Sequence, residues 1–175
     1  MNLTIEQIYD KLPQGWLDKD ELTLMLAYAI MTTGDILEVG CYRGRSTVGL
    51  AMLDRQVYTV DPFSNFDSDD VSGDGIYEDF LENTAKYKNI KLYKQRIEDW
   101  EVLPVGFAFL DGDHTYQGTL NQIDKALLCR PEWIAMHDIN NSGQGLEISK
   151  AAEERLGLFI IRSGKMAIFK PHYEN

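Results

Sequence analysis

Four short runs of this 175-residue chain carry side chains that could do chemistry, and their spacing narrows which chemistry. The first is DILEVGCYRGRST, Asp35 to Thr47, an apolar run that ends in the acid Glu38 and then breaks at Gly40 and Gly44. The second is Asp61, which lies 21 positions after Gly40. The third is Asp111-Gly112-Asp113-His114, and the fourth is His137-Asp138. A carboxylate two residues ahead of Gly40 is a poor neighbour for a pyrophosphate, and the G-x-x-x-G spacing lacks the three glycines that bring a backbone against one. A ligand carrying positive charge fits better. Asp61 stands near the roughly 20-residue offset at which an acid in a βαβ unit accepts hydrogen bonds from a ribose diol. The acids and histidines of the last two runs could serve as general bases or as ligands of a divalent ion. Acids with an amide suit Mg²⁺ or Ca²⁺, whereas two His with two Asp attract a transition metal.

Strands and helices must carry these residues, and their patterns alternate along the chain. Thr4 with Gln7 reads as a capping box ahead of Ile5, Ile8, Tyr9 and Leu12 at helical spacing. Asp18 with Glu21 repeats the signal ahead of an apolar helix over about residues 19–31, which Gly34 stops. Strands are expected at 36–39, 57–60, 91–93, 107–110 and 134–136, alternating with helices at about 46–53, 76–87, 116–128 and 145–156. Two last strands, 159–162 and 166–170, flank Ser163-Gly164, a two-residue turn signal for an antiparallel hairpin. The alternation predicts one α/β domain over 1–175, with N-terminal helices in 1–33 and the core fold in 35–175. The chemistry then falls at the carboxyl ends of strands one, two, four and five.

S-adenosylmethionine (SAM) has no phosphate but carries a sulfonium and an ammonium, and the segment Asp35 to Thr47 resembles motif I of the class I SAM-dependent methyltransferases. The run FLDGDHTYQG, Phe109 to Gly118, followed by His137-Asp138, is similar to the small-molecule O-methyltransferase branch, which takes in sugar and catechol-type enzymes. The resemblance implies a Rossmann-like three-layer sandwich whose seven-stranded, mostly parallel sheet runs 3-2-1-4-5-7-6 and ends in an antiparallel hairpin. It implies SAM as cofactor, an oxygen of a small molecule such as a sugar as methyl acceptor, and in many members a divalent metal such as Mg²⁺.

By the same resemblance, Glu38, Gly40, Gly44 and Ser46 hold the methionine end of SAM, and Tyr42 and Arg43 lie in the turn beside its carboxylate. Asp61 takes the ribose, with Pro62 and Phe63 bordering the adenosine. After strand three, Arg96 and Ile97 stand nearest the adenine. Many members carry Gly-Asp where this chain has Gln95-Arg96, which shifts that contact to backbone and Ile97. Asp111 counts both among the SAM contacts and, with His114 and Asp138, among the catalytic residues. Asp111 and Asp138 occupy the metal-binding positions. Asn140 is the third ligand, because Ile139 rather than Asn directly follows Asp138. His137 and Asp138, neighbours at a strand end, are expected to point to opposite faces, with Asp138 taking the cleft.

Composition excludes other classes. Seventeen basic against 28 acidic residues, a net charge of -11, argues against a nucleic-acid backbone as partner. No apolar run approaches the roughly 18 residues of a membrane span, and the first residues lack a basic segment leading into an apolar one. Two cysteines, Cys41 and Cys129, are too few for a disulfide framework, so a reducing cytoplasm is the expected setting. The expected partner is a small-molecule acceptor, with neither nucleic acid nor membrane. The stretch PFSNFDSDDVSGDG after Asp61 is acidic, yet an EF-hand starting at Asp67 would put Ser72 where Gly is needed, so the stretch reads as a loop over the cleft. Two rivals stay open: an NAD-dependent oxidoreductase, disfavoured by Glu38, the missing third glycine and the hairpin, and a SAM-binding subunit or sensor without catalysis.

Overall fold

Capping side chains start the first two helices. Thr4 and Gln7 close a reciprocal box on α1, Ile5–Tyr9, and Asp18 and Glu21 do the same on α2, Lys19–Ile30. The computed structural model describes residues 4–64 and 75–173, so most of the loop expected after Asp61 lies outside the described residues. The chain continues through β1 (Ile36–Val39), α3 (Arg45–Ala51), β2 (Val57–Val60), α4 (Ile76–Thr84) and β3 (Ile90–Tyr93). A short 3₁₀ turn, Ile97–Asp99, precedes β4 (Phe107–Leu110), α5 (Tyr116–Leu128), β5 (Trp133–Met136), α6 (Gly143–Leu156), β6 (Ile161–Ser163) and β7 (Met166–Phe169).

The central strands read ILEV, FAFL and WIAM, near-continuous apolar runs that only a sheet covered on both faces can hold. The seven strands form one sheet in the order β3-β2-β1-β4-β5-β7-β6, as the resemblance implies. The pairs from β3 to β5 are parallel, and β7 pairs antiparallel with both β5 and β6. Alternate side chains feed two cores. Leu37, Val39, Ala108 and Leu110 pack with Ile123, Ala126, Ile148 and Ala152 of α5 and α6, while Ile36, Phe107 and Phe109 pack with Leu22, Met25, Leu26 and Leu50 of α2 and α3. Among the described residues no helix is long and apolar enough to cross a membrane.

The last hairpin departs from expectation by one residue. Ser163 pairs with Met166, so the turn is Gly164-Lys165, and Gly164 has φ +54°. A two-residue turn with positive φ at its first central position matches the right-handed twist of the strands, and Gly adopts that φ without steric cost.

Strand register places the site. Val39 lies level with Val60 on one side and Leu110 on the other, Leu110 lies level with Met136, and Val60 with Tyr93. The ladder runs one step further: the amides of Gly40, Asp61, Asp111 and His137 donate to the carbonyls of Val60, Tyr93, Val39 and Leu110. Four residues singled out from the sequence thus stand side by side along the carboxyl edge of the sheet, around the point where the strand order reverses between β1 and β4.

Candidate active site

The turn after β1 is built from left-handed backbone. Gly40, Tyr42 and Gly44 have φ of +81°, +48° and +87°. A Cβ at Gly40 would lie 2.1 Å from the carbonyl oxygen of Asp111, so only glycine lets this turn close against the one after β4. Asp61 holds it there. Its Oδ2 accepts from the amides of Cys41 (2.8 Å) and Tyr42 (3.3 Å), and its Oδ1 from the amide of Phe63 (2.7 Å). A carboxylate offers about four acceptor positions, so about one remains for a ligand. Those amides account for how Tyr42 keeps a backbone conformation that costs about 1–3 kcal/mol.

Behind the turn, Glu38 is wholly buried. Its Oε2 accepts from the Thr47 hydroxyl at 2.6 Å, and its Oε1 has no hydrogen-bond partner among the described residues. Burial pushes its carboxyl up to about 7, against the pull of nearby hydroxyls. A buried acid with an orphaned oxygen next to a ligand wall is poised to answer a cation.

Acids and imidazoles gather at the ends of β4 and β5. His114 Nε2 lies 3.7 Å from Asp111 Oδ1 and 3.7 Å from Asp138 Oδ2. His137 Nδ1 faces the same two oxygens at 3.4 and 3.5 Å, while its Nε2 lies 3.2 Å from Oε2 of Glu21 on α2. Glu21 is itself fixed, since its oxygens accept from the amides of Asp18 (3.0 Å) and Lys165 (2.8 Å). Burial alone would lower the basicity of His137, but the Asp111 charge and the surrounding carboxylates overcome it and push it up to about 12. Burial works against ionisation of Glu21 too, yet His137 and the two amides hold its carboxyl down at about 2. Asp138 sits well below the usual carboxylate range, its burial outweighed by His137 and by Lys165, whose Nζ is 3.1 Å away. His114 is raised, chiefly by Asp111.

The turn and the cluster border one cavity of about 520 Å³, within the roughly 300–1,000 Å³ of small-molecule sites. Arg45 secures its N-terminal rim by donating to the carbonyls of Pro13 and Leu17. The model for a methyltransferase domain matches residues 37–139, which contain the turn, Asp61, Asp111, His114 and Asp138. The chain belongs to this methyltransferase family. No curated protein matches it. Among solved structures it is similar to the O-methyltransferase TomG of Streptomyces achromogenes, solved with SAM (13% identity, 96% of this chain and 89% of that one, TM-score 0.64). It is also similar to a Bacillus cereus O-methyltransferase in complex with SAH (20%, 95% and 89%, 0.59) and to CalS11, a TDP-rhamnose 3'-O-methyltransferase (14%, 94% and 80%, 0.62). At these identities the likeness is one of fold.

Within this methyltransferase, Gly40, Tyr42, Ser46, Asp61, Pro62, Arg96, Ile97, Asp111 and His114 line the cavity. Others stand elsewhere. Glu38 lies behind the wall, with Ser46 between it and the space. Arg43 turns outward to Asp79 on α4 (3.1 Å), and Gly44 packs against Phe80 and Thr84. Phe63 leaves the cavity to meet the rings of Tyr77 and Phe80.

Asn140 does not join the acids: its Oδ1 accepts from the Ser142 amide (2.9 Å) in the turn into α6, and its Nδ2 donates to the Asp138 carbonyl. Asp111, His114 and Asp138 each bring one donor atom within 4.8 Å of the others. His137 and Asp138 do not part to opposite faces either. Asp138 leaves the strand with φ +56°, which ends the alternation and turns both side chains toward Asp111.

Sequence reading missed Glu21, whose capping box was legible but whose reach to His137 was not. It also missed Gln122, which accepts from the Gly112 amide (3.0 Å) and donates to the Asp113 carbonyl (2.8 Å), and Trp16 on the rim.

Proposed function

We propose that the protein is a SAM-dependent methyltransferase that methylates a hydroxyl of a small molecule, with a sugar hydroxyl the favoured class. The observation that carries this reading is the joining, in one cavity, of the Gly40 turn at the switch point with the Asp111–His114 pair. When bound, SAM supplies a methyl carbon on a sulfonium, and the C–S electron pair leaves with the neutral thioether. The chain's own residues do the rest. Asp61, which keeps about one acceptor position, and the turn it holds shape the ligand's place, with the Glu38 carboxyl behind Ser46. The acceptor oxygen forms the new C–O bond, and its proton passes into the Asp111–His114 pair. The Nε2 of His114 is free of any hydrogen-bond partner among the described residues.

His137 is unavailable as a base, since carboxylates face both of its nitrogens. Trp16, 73% exposed and 5.8 Å from the Tyr42 ring, adds an aromatic face at the rim against which a sugar or phenol can lie. The two free, buried cysteines fit a cytoplasmic setting. The test is transfer of labelled methyl from SAM to a panel of sugars and phenols. Transfer should fall by about 10²–10⁴-fold in His114→Ala. Undiminished transfer in that variant, or none to any acceptor by a protein that binds SAM, would overturn the reading.

A further inference from the structure

The strands in the middle of the sheet read as near-continuous apolar runs, and so does the approach to the strand at its open edge. The chain enters β6 through Leu158, Phe159, Ile160 and Ile161, whose side chains are 79%, 44%, 59% and 43% exposed. Successive side chains of an extended chain point to opposite faces, so the run is apolar on both. Phe159 meets the ring of Phe169, yet all four stay open to solvent. Such a run suits a strand with a neighbour on each side and a layer on each face. β6 has β7 on one side and, among the described residues, nothing on the other.

Exposed edges are commonly blunted by Lys, Pro or a covering element. Between Gly157 and Gly164 the only charged residue is Arg162, and there is no Pro. At about 150–250 Å² for a large side chain, the four exposures leave on the order of 400 Å² of apolar surface open on each copy. That is about half of the roughly 800 Å² per partner that a stable interface buries, before backbone and flanking residues are added.

A second copy of the same strand is the occupant that fits. Two identical strands pair antiparallel about a two-fold axis, so each gives and receives the same hydrogen bonds and one patch covers the other. With the axis at Ile160, Arg162 of each copy lies level with Leu158 of the other, beside the end of α6. That end carries the negative pole of the helix dipole, with Glu153 and Glu154 in its last turn, and Arg155 there is already held by Glu154 and Asp124. Among the described residues Arg162 uses only its Nε, on the Gly164 carbonyl at 2.8 Å.

We propose that the chain forms a two-fold dimer through β6, which joins the two seven-stranded sheets into one and buries Leu158 to Ile161 between the copies. The dimer is independent of the methyl-transfer reading, and its test needs no SAM.

The test is gel filtration with light scattering on the full chain over a dilution series. At the concentrated end the mass should be twice the 20.0 kDa of one chain. Ile160→Glu sets two carboxylates opposite each other at the axis and should give the single-chain mass throughout, with the circular dichroism of the folded protein. Leu158→Lys, at the most exposed of the four positions, should do the same and serves if Ile160→Glu does not fold. Leu128→Glu, 63% exposed on α5, is the control and should remain dimeric. Arg162→Glu faces a carboxylate to the α6 end and should raise the dissociation constant by at least about tenfold. A single-chain mass for the wild type at every concentration, or a dimer that persists in both β6 variants, would overturn the proposal, as would a dimer lost equally in the control.

Discussion

Replacing Gly40 by Ala tests whether the glycine turn is shaped by contact with the β4 turn. The added Cβ would meet the Asp111 carbonyl oxygen at 2.1 Å, the Asp111 carbonyl carbon at 2.5 Å and Gly112 Cα at 2.7 Å, all backbone atoms that no rotamer change can clear. Two costs add. Holding an L-residue at φ +81° costs about 1–2 kcal/mol, and forcing the two turns apart costs about 1–3 kcal/mol more. Gly75→Ala is the matched control, since its φ is +85° and among the described residues nothing lies within 4 Å of its added Cβ. It should lose only the first of the two costs. In urea unfolding, Gly40→Ala should therefore be less stable than wild type by about 2–5 kcal/mol and than the control by about 1–3 kcal/mol. Melting temperatures should separate the two variants by about 2–12 °C. SAM binding should fail in Gly40→Ala and survive in the control. Equal stability of the two variants would refute the close approach.

The other expectations concern charge. Asp61→Asn replaces one acceptor by a donor facing backbone amides, so urea unfolding should show a loss of about 1.5–3 kcal/mol; unchanged stability would mean that Asp61 does not organise the turn. Glu38 is raised from 4.5 to about 7, so between those pH values the folded chain holds a proton that the unfolded chain has lost. Stability from this group therefore falls as pH rises through that window, by an amount on the order of 3 kcal/mol, and Glu38→Gln should remove the slope in unfolding curves collected at each pH. Arg43→Ala should change SAM affinity by less than about twofold and stability by less than about 1 kcal/mol, because its partner Asp79 lies on α4 and both side chains are partly exposed. A large loss of SAM affinity there would return Arg43 to the site.

What the sequence shows depends on the range of the interaction. β1, β2, β4 and α5 were legible to the residue, because apolar runs and helical spacing are local signals. Parallel register then carries Gly40, Asp61, Asp111 and His137 into one row with no further information. Beyond the strand ends, direction is set by turn dihedrals and distant partners. Asp138 at φ +56° defeats the alternation rule, and Arg43 follows Asp79 rather than the cavity. Glu21 stands 116 positions from His137, a pairing that only the closed sheet creates. Asn140 was assigned by its nearness to Asp138 in sequence, but the start of α6 claims its amide oxygen.

The central claim is that the cavity at the β1–β4 switch point is a SAM site, and calorimetric titration of the intact chain tests it most directly. Saturable binding of one SAM per chain is expected, lost in Gly40→Ala, with no heat from NAD⁺. Binding of NAD⁺ in its place, or no SAM binding by the folded protein, would contradict the claim.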